Sequence, residues 1–336
     1  MTRFRLLAGW RSAWHMGLAA AALWAVSSGP VQAQAAYPNK PIRFVVGFSP
    51  GSSIDSVARI VAEHLKTRLG QTVTVDNRTG ANGMLAASEL ARAQPDGYTV
   101  LISNSSTITV NPLLYGKKMQ YDVERDFTPV SLVVSVPFIL TVNPEKDTTA
   151  KVMNVSDLIK AAKAQPLSYG SAGVGNLTQL SMEMLNQQAG VKMTHVPYKG
   201  SAPAQLGLLG KEVDSAFDNP AAMQQIKAGK LRAIAVSSAQ RWRDLPDVPS
   251  IAEQGYPGYD IAFWVGAFVP AHTPPAVVKA LADAMKAATE DPATRELLAR
   301  QGNILALGPQ EFGLRIKQET AQYADIIKRS QIELKE

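Results

Sequence analysis

The chain has 336 residues, 46% of them apolar and 18% charged, with no cysteine and a formal charge of +6. That composition excludes a disordered chain. The missing thiols exclude disulfides, a thiolate metal site and a cysteine nucleophile. The length suffices for two domains of ordinary size, with a core large enough to need no covalent staples.

Residues 1–35 read as a secretory signal peptide. Arg3, Arg5 and Arg11 precede the apolar stretch MGLAAAALWAVSS, and small-residue sites place cleavage after Ala33 or Ala35. The stretch is shorter than the ~20 apolar residues of a membrane span. No second run of that length follows, and with no cysteine to lipidate the exported protein is expected free in solution. Losing three arginines and no acids lowers the formal charge from +6 to +3. No Lys/Arg run is interleaved with aromatics, so nucleic acid is not an expected partner. A mildly basic surface biases the protein toward acidic small molecules.

The mature chain opens with a buried strand at Ile42–Val46. Ile54, Val57, Ala58, Val61, Leu65 and Leu69 then recur at helical spacing up to Gly70. A strand at 72–75, a helix at 82–93 and a strand at 99–102 complete a β-α-β-α-β rhythm, which implies a parallel sheet flanked by helices. Phe127 to Val142 is long, apolar and extended, and suits a crossing between domains. A second alternation follows, with helices at 156–164, 176–189, 202–209 and 221–228. Its strands fall at 167–171, 194–197, 213–217 and 231–237. Residues 261–270 form a second extended crossing, and helices at 275–289, 292–300 and 309–332 finish the chain. The expected fold is α/β with two lobes. Each lobe is a mainly parallel sheet with helices on its faces, and the two extended crossings enclose a cleft. Lobe 1 takes residues 36–135 and 241–336, and lobe 2 takes residues 136–240.

Gly47-Phe48-Ser49-Pro50-Gly51 matches G-x-S-x-G, the nucleophile elbow of serine hydrolases. In that elbow the residue after the serine lends its N–H to the oxyanion hole. Here that residue is Pro50, which has none. What the turn offers instead is a helix N-terminus at a strand's end, with Ser52 and Asp55 at capping spacing. Such ends attract anions through exposed N–H groups and the helix dipole. Ser168 to Asn176 repeats the device in the second lobe, with glycines at 170, 173 and 175 that do not fit a dinucleotide fingerprint. Two helix ends facing across a cleft suit a ligand with two carboxylates. No His/Asp/Glu cluster has metal-ligand spacing, and no cofactor is expected. His195 reads as structural, and Phe263-Trp264 reads as core.

Eight stretches occur in an order that resembles the Bug family of periplasmic solute receptors for tripartite tricarboxylate transporters. They are YPNKPIRFVVGFSPGSSID, VDNRTGANG, AQPDGYTVLIS, ERDFTPVSLV, HVPYKGSAPAQ, IKAGKLRAIAVSS, LPDVPSIAEQGYPGYD and VPAHTPPAVV. The resemblance implies a flytrap periplasmic-binding-protein fold without enzymatic activity. It implies a small carboxylate ligand, such as a dicarboxylate or aromatic acid, and a membrane permease as partner. It implies ligand contacts in the first loop at Phe48, Ser49, Pro50, Gly51, Ser52, Ser53 and Asp55. It adds Asn104, Ser105 and Thr107 at the end of the third strand. The second loop contributes Ser171, Ala172, Gly173, Gly175, Asn176 and Thr178. Lys199 either neutralises a carboxylate or sits in solvent. Asp218 either accepts from the ligand or caps the next helix. The sequence departs from the usual pattern at Ser52, where a second glycine is common, and at Gln179, where many members carry histidine. The expected protein is a monomer that hands a carboxylate to its permease. A ligand sensor for a signalling partner and an exported hydrolase using Ser49 are the alternatives.

Overall fold

The computed structural model describes residues 37–333, and the expected signal peptide lies outside the described residues. Lys40–Glu336 form one compact unit. Within it, β1 (Ile42–Val46), α1 (Ser53–Leu69), β2 (Val73–Asn77), α2 (Met84–Ala91) and β3 (Thr99–Asn104) form the first alternation. A π-helical turn, Ser106–Val110, runs into α3 (Asn111–Tyr115), and α4 (Val123–Asp126) precedes β4 (Phe127–Pro137). The second alternation comprises β5 (Ile139–Val142), α5 (Val155–Ala164), β6 (Ser168–Ser171), α6 (Leu177–Ala189) and β7 (Thr194–Pro197). It continues through α7 (Ser201–Leu209), β8 (Ser215–Asp218), α8 (Met223–Lys227) and β9 (Arg232–Val236). The chain ends with β10 (Ala262–Pro270), α9 (Pro275–Glu290), α10 (Pro292–Ala299), β11 (Asn303–Leu307) and α11 (Pro309–Arg329).

The strands form two sheets, ordered β11-β4-β10-β3-β1-β2 and β7-β6-β8-β5-β9. Both are mixed. In the first, β1, β2 and β3 are parallel, while β10 and β11 oppose them and β4 runs with them. In the second, only β5 runs against the other strands. The parallel rhythm seen in the sequence is therefore present, and β5 and β10 of the crossings, with the edge strand β11, supply the antiparallel members.

The extended stretch at 127–142 is two strands, one in each sheet. Pro137 still pairs with Ala262 in the first sheet, and Ile139 pairs with Asp218 and Val236 in the second. Phe138 sits at the change, and its N–H donates to Ser237 Oγ at 2.8 Å. β11 has no counterpart in the sequence reading. It is a half-buried edge strand on β4, and Ala306 has a left-handed φ of 51° at its register shift.

Each sheet has its own apolar core. Leu90, Leu101, Leu132, Trp264, Phe268 and Phe312 pack on the first sheet, and Leu140, Tyr169, Leu180, Leu185, Phe217 and Tyr259 pack on the second. Burial of residues this large, at about 1.5–3 kcal/mol each, dominates the stability of both halves. Helix α11 serves both cores, with Phe312 and Ile316 in the first and Tyr323 and Ile326 in the second. Buried Glu319 on the same helix accepts from Trp264 Nε1 at 2.6 Å and Arg315 Nε at 2.7 Å.

Candidate functional site

A cavity of about 560 Å³ draws residues from both sheets. Phe48, Ser53, Asn82, Asn104 and Ser106 reach it from loops of the first sheet. Asn176, Leu177, Thr178, Ser201, Asn219 and Ala221 reach it from the second, and Val136, Phe138 and Phe263 from the crossings. Arg300 and Gln301 complete the wall. The sequence places helix starts at three of these points. Ser53, Leu177 and Ser201 are the first residues of α1, α6 and α7.

At each start, capping leaves a first-turn N–H free. Ser52 Oγ accepts from the Asp55 N–H at 3.3 Å, and Asn176 Oδ1 accepts from the Thr178 N–H at 3.0 Å. Gly200 before α7 has no side chain to cap with. The N–H groups of Ser53, Leu177 and Ser201 have no partner within the described residues. The first turn of a helix carries unsatisfied donors and roughly half a positive charge. Arg300 is the one charged residue in the wall, and no carboxylate lines it. Such a wall can accommodate an anion without a fixed counter-ion at its centre.

The glycines do something different from what the sequence suggested. The Gly51 N–H donates to Asp55 Oδ2 at 2.9 Å, and the Gly175 N–H donates to Gln179 Oε1 at 2.7 Å. Both are paired, so the free donors lie two residues further on, at the helix starts proper. Asp55 does not line the cavity. It is buried and holds the first loop by accepting from Gly51, Arg59 and Asn77. Burial works against its charge, but these bonds outweigh it and keep the carboxyl below its ordinary range.

Of the first-loop candidates, Phe48 and Ser53 line the cavity, while Ser49, Pro50, Gly51 and Ser52 shape the turn beside it. Ser49 is exposed and has no histidine partner: His64 lies 3.3 Å from Thr294 Oγ1, and His195 contacts Ser171 and Gln179. At the third strand's end, Asn104 lines the cavity. Thr107 does not, but its Oγ1 lies 3.0 Å from Asn104 Oδ1 and 2.9 Å from Asn82 O. Ser105 faces the core, where its Oγ accepts from the Trp264 N–H at 3.4 Å. In the second loop, Asn176 and Thr178 line the cavity. The Ala172 N–H donates to Thr178 Oγ1 at 3.0 Å, and the Gly173 N–H to Ser171 Oγ at 3.2 Å.

Two charged candidates lie elsewhere. Lys199 is exposed and outside the wall. Asp218 is buried, accepts from Thr141 Oγ1 at 2.6 Å, and neither lines the cavity nor caps a helix. The capping belongs to its neighbour Asn219, which accepts from the Ala221 N–H. Burial pushes the Asp218 carboxyl up to about 6.

His195 is structural. Gln179 Oε1 is committed to Gly175, so its amide nitrogen faces His195 Nδ1 at 3.1 Å. The imidazole proton then sits on Nε2 and donates to Ser171 Oγ at 2.6 Å. Burial pushes the His195 pKa down to about 4.

Several lining residues escaped the sequence reading. Asn82 was placed in a helix, but Gly80 and Gly83 bracket it in a turn where it adopts a left-handed φ of 51°. A β-carbon on Gly83 would collide with Thr107 Oγ1, which explains the glycine. Phe263 lines the cavity while Trp264 is core, so the aromatic pair divides between the two roles. Ser201 had a usable signal in Gly200, and Arg300 had none.

Three larger cavities lie apart from these helix starts. The smallest, of about 630 Å³, is lined by Glu63, His64, Asp291 and Thr294. One of about 770 Å³ is lined by Arg241, Arg243 and Arg315, which already pair with Glu253, Asp244 and Asp260. The third, of about 890 Å³, is mainly apolar, around Ile108, Tyr121, Phe127 and Phe268. Among the described residues, no group of three His, Cys, Asp or Glu could hold a metal, and no helix is long and apolar enough to cross a membrane.

Residues 57–332 match the tripartite tricarboxylate transporter family receptor. The chain is 34% identical to Protein BugT of Bordetella pertussis over 313 residues, 92% of this chain and 94% of the relative. R. palustris Rpa4515, solved with adipate, is 35% identical with a TM-score of 0.73, covering 88% of this chain and 99% of that one. MatC from Rhodopseudomonas palustris, solved with malate, is 29% identical with a TM-score of 0.68, covering 87% of this chain and 100% of that one.

Proposed function

The chain belongs to the tripartite tricarboxylate transporter receptor family, and from that premise we propose that it captures a small carboxylate in the cavity between its two sheets. The observation that carries this reading is the set of three unpaired helix-start N–H groups, at Ser53, Leu177 and Ser201, around a wall without a carboxylate. Asn82, Asn104, Ser106, Asn176 and Asn219 add amide and hydroxyl groups for the ligand's oxygens. Phe48, Phe138 and Phe263 supply apolar wall for its carbon skeleton. The wall holds no nucleophile paired to a base, in keeping with a receptor and not an enzyme.

The protein works in the periplasm and delivers its ligand to the membrane permease of a tripartite transporter. The family supports that role, and the Arg-led apolar N-terminus supports export. The lobes are residues 36–135 with 241–336, and residues 136–240. Apart from Val136 and Pro137 at the end of β4, the strands of the first sheet fall in the former ranges and those of the second in the latter, which supports the division to within two residues.

Thermal unfolding with a carboxylate panel tests the reading. A ligand that binds only the native state at a hundredfold excess over Kd stabilises it by about 2.7 kcal/mol. Adipate, malate or an aromatic acid raises the Tm by several degrees, and neutral sugars do not. A shift with sugars and none with any acid overturns the proposal.

A further inference from the structure

We propose that Arg300 selects ligands bearing a second anionic group. This inference rests on the carboxylate-receptor reading and names the subclass of ligand.

Arg300 is the single charged side chain in a wall otherwise made of amides, hydroxyls, backbone and apolar groups. It follows α10 and comes from the first sheet's half of the chain. It also lines an adjoining pocket with Pro220, Met223, Lys227, Trp242 and Asp244, the last already paired with Arg243. The guanidinium therefore stands at the rim, where the cavity meets the outside. The three helix starts offer backbone N–H groups with partial positive charge and no full charge. They leave no cation for a second charge, and Arg300 is the group placed to meet it.

Its present partner does not compete strongly. Arg300 Nη2 donates to Glu296 at 2.6 Å, but the two side chains are 63% and 68% exposed. An exposed i,i+4 pair is weak and screened by salt. A ligand carboxylate held against the cavity wall can take a two-point guanidinium bond, whereas Glu296 receives only one bond. Exchanging Glu296 for the ligand is thus favourable when the ligand carries a distal acid, and pointless when it does not.

The test uses acids matched in skeleton and differing only in the second carboxylate: butyrate with succinate, hexanoate with adipate, benzoate with terephthalate. Titration calorimetry compares wild type with Arg300→Gln. The wild type binds at least one diacid more tightly than its monoacid. In Arg300→Gln that diacid loses about tenfold in affinity, the scale for losing a charged hydrogen bond at a partly solvated site. The matched monoacid changes less than twofold. Without ligand, the variant melts as wild type does, because the side chain is exposed. If the wild type gains nothing from a second carboxylate, or if the gain survives in Arg300→Gln, Arg300 does not set the selectivity. If mono- and diacid weaken equally, Arg300 acts on the fold of the cleft, and the proposal is overturned. Failure of every acid to bind the wild type sinks the receptor reading itself, which separates the two failures.

Discussion

Leu114 occupies the space that a β-carbon on Gly175 would need. Leu114 sits on α3, which follows the first sheet's β3, while Gly175 opens the loop into α6 of the second sheet. One apolar contact thus joins the halves beside the candidate site. Gly175 also has a left-handed φ of 73°. Gly175→Ala therefore faces two penalties, backbone strain of about 1–3 kcal/mol and a clash. The expected Tm falls by about 2–4 °C per kcal/mol. Adding Leu114→Ala removes the clash, leaves the strain and adds its own packing loss, so the double variant loses less than the sum of the two single losses. A double-mutant cycle read by chemical denaturation checks this. Simple additivity of the two single losses would show that the contact carries nothing.

The two crossings are joined through Ser237. Its Oγ accepts from the Phe138 N–H at 2.8 Å and donates to Ile261 O at 2.5 Å, and the residue is fully buried. Ser237→Ala strands one donor and one acceptor with no access to water. Each such group costs about 1–3 kcal/mol, so the loss is expected near 2–4 kcal/mol. Urea denaturation measures it. A loss under about 0.5 kcal/mol would mean that water replaces the hydroxyl.

Two titrations, of buried Asp218 and half-buried His195, oppose each other between pH 4 and 6.5. Burial raises Asp218 from 3.8 to about 6, so the native state holds that proton more tightly than the unfolded chain. Its stabilising contribution is complete below about pH 3.8 and is lost as pH rises through 6. His195 is lowered from 6.5 to about 4, so its contribution is complete above pH 6.5 and is lost as pH falls toward 4. Asp218→Asn removes the first trend and still gives Thr141 an acceptor. The variant should exceed wild type by on the order of 2 kcal/mol above pH 6 and converge with it near pH 4. Its stability should then fall steadily with acid from pH 6.5. Melting curves across pH 4–8 check this, and a variant less stable than wild type at pH 8 would contradict it.

The fold was largely legible because periodicity reports which face of an element is buried, and both sheets are built from strongly periodic pieces. β11 was missed because NILAL is a half-buried edge with neither clean alternation nor full burial. The site was legible at the level of loops but not of atoms. Glycine-rich turns after strands identify where helices start. They do not reveal that Asp55 and Gln179 consume the glycine N–H groups. Those partners lie four residues further on, where capping and ligand contact look alike in sequence. Asn82 and Arg300 reach the cavity only through the packing of distant segments, and no local pattern encodes that.

Asn176 gives the sharpest test of the helix-start anion site. It lines the cavity, and its Oδ1 accepts from the Thr178 N–H at 3.0 Å and Thr178 Oγ1 at 3.1 Å. Its amide nitrogen has no bonded partner among the described residues, so Asn176→Asp keeps the capping oxygen and changes only the group beyond it. Aspartate is as good a cap as asparagine, and its charge suits a helix N-terminus. The free protein should therefore melt at the wild-type temperature or slightly above. A carboxylate in the cavity would meet a like charge a few ångströms away, at a cost of about 1–4 kcal/mol at intermediate dielectric. That is roughly 10- to 1000-fold in Kd. Stability and affinity should move in opposite directions, which a general disturbance of the fold cannot produce. Titration with the best-binding acid decides the matter. Wild-type affinity in a folded Asn176→Asp protein would mean that the start of α6 does not hold the anion.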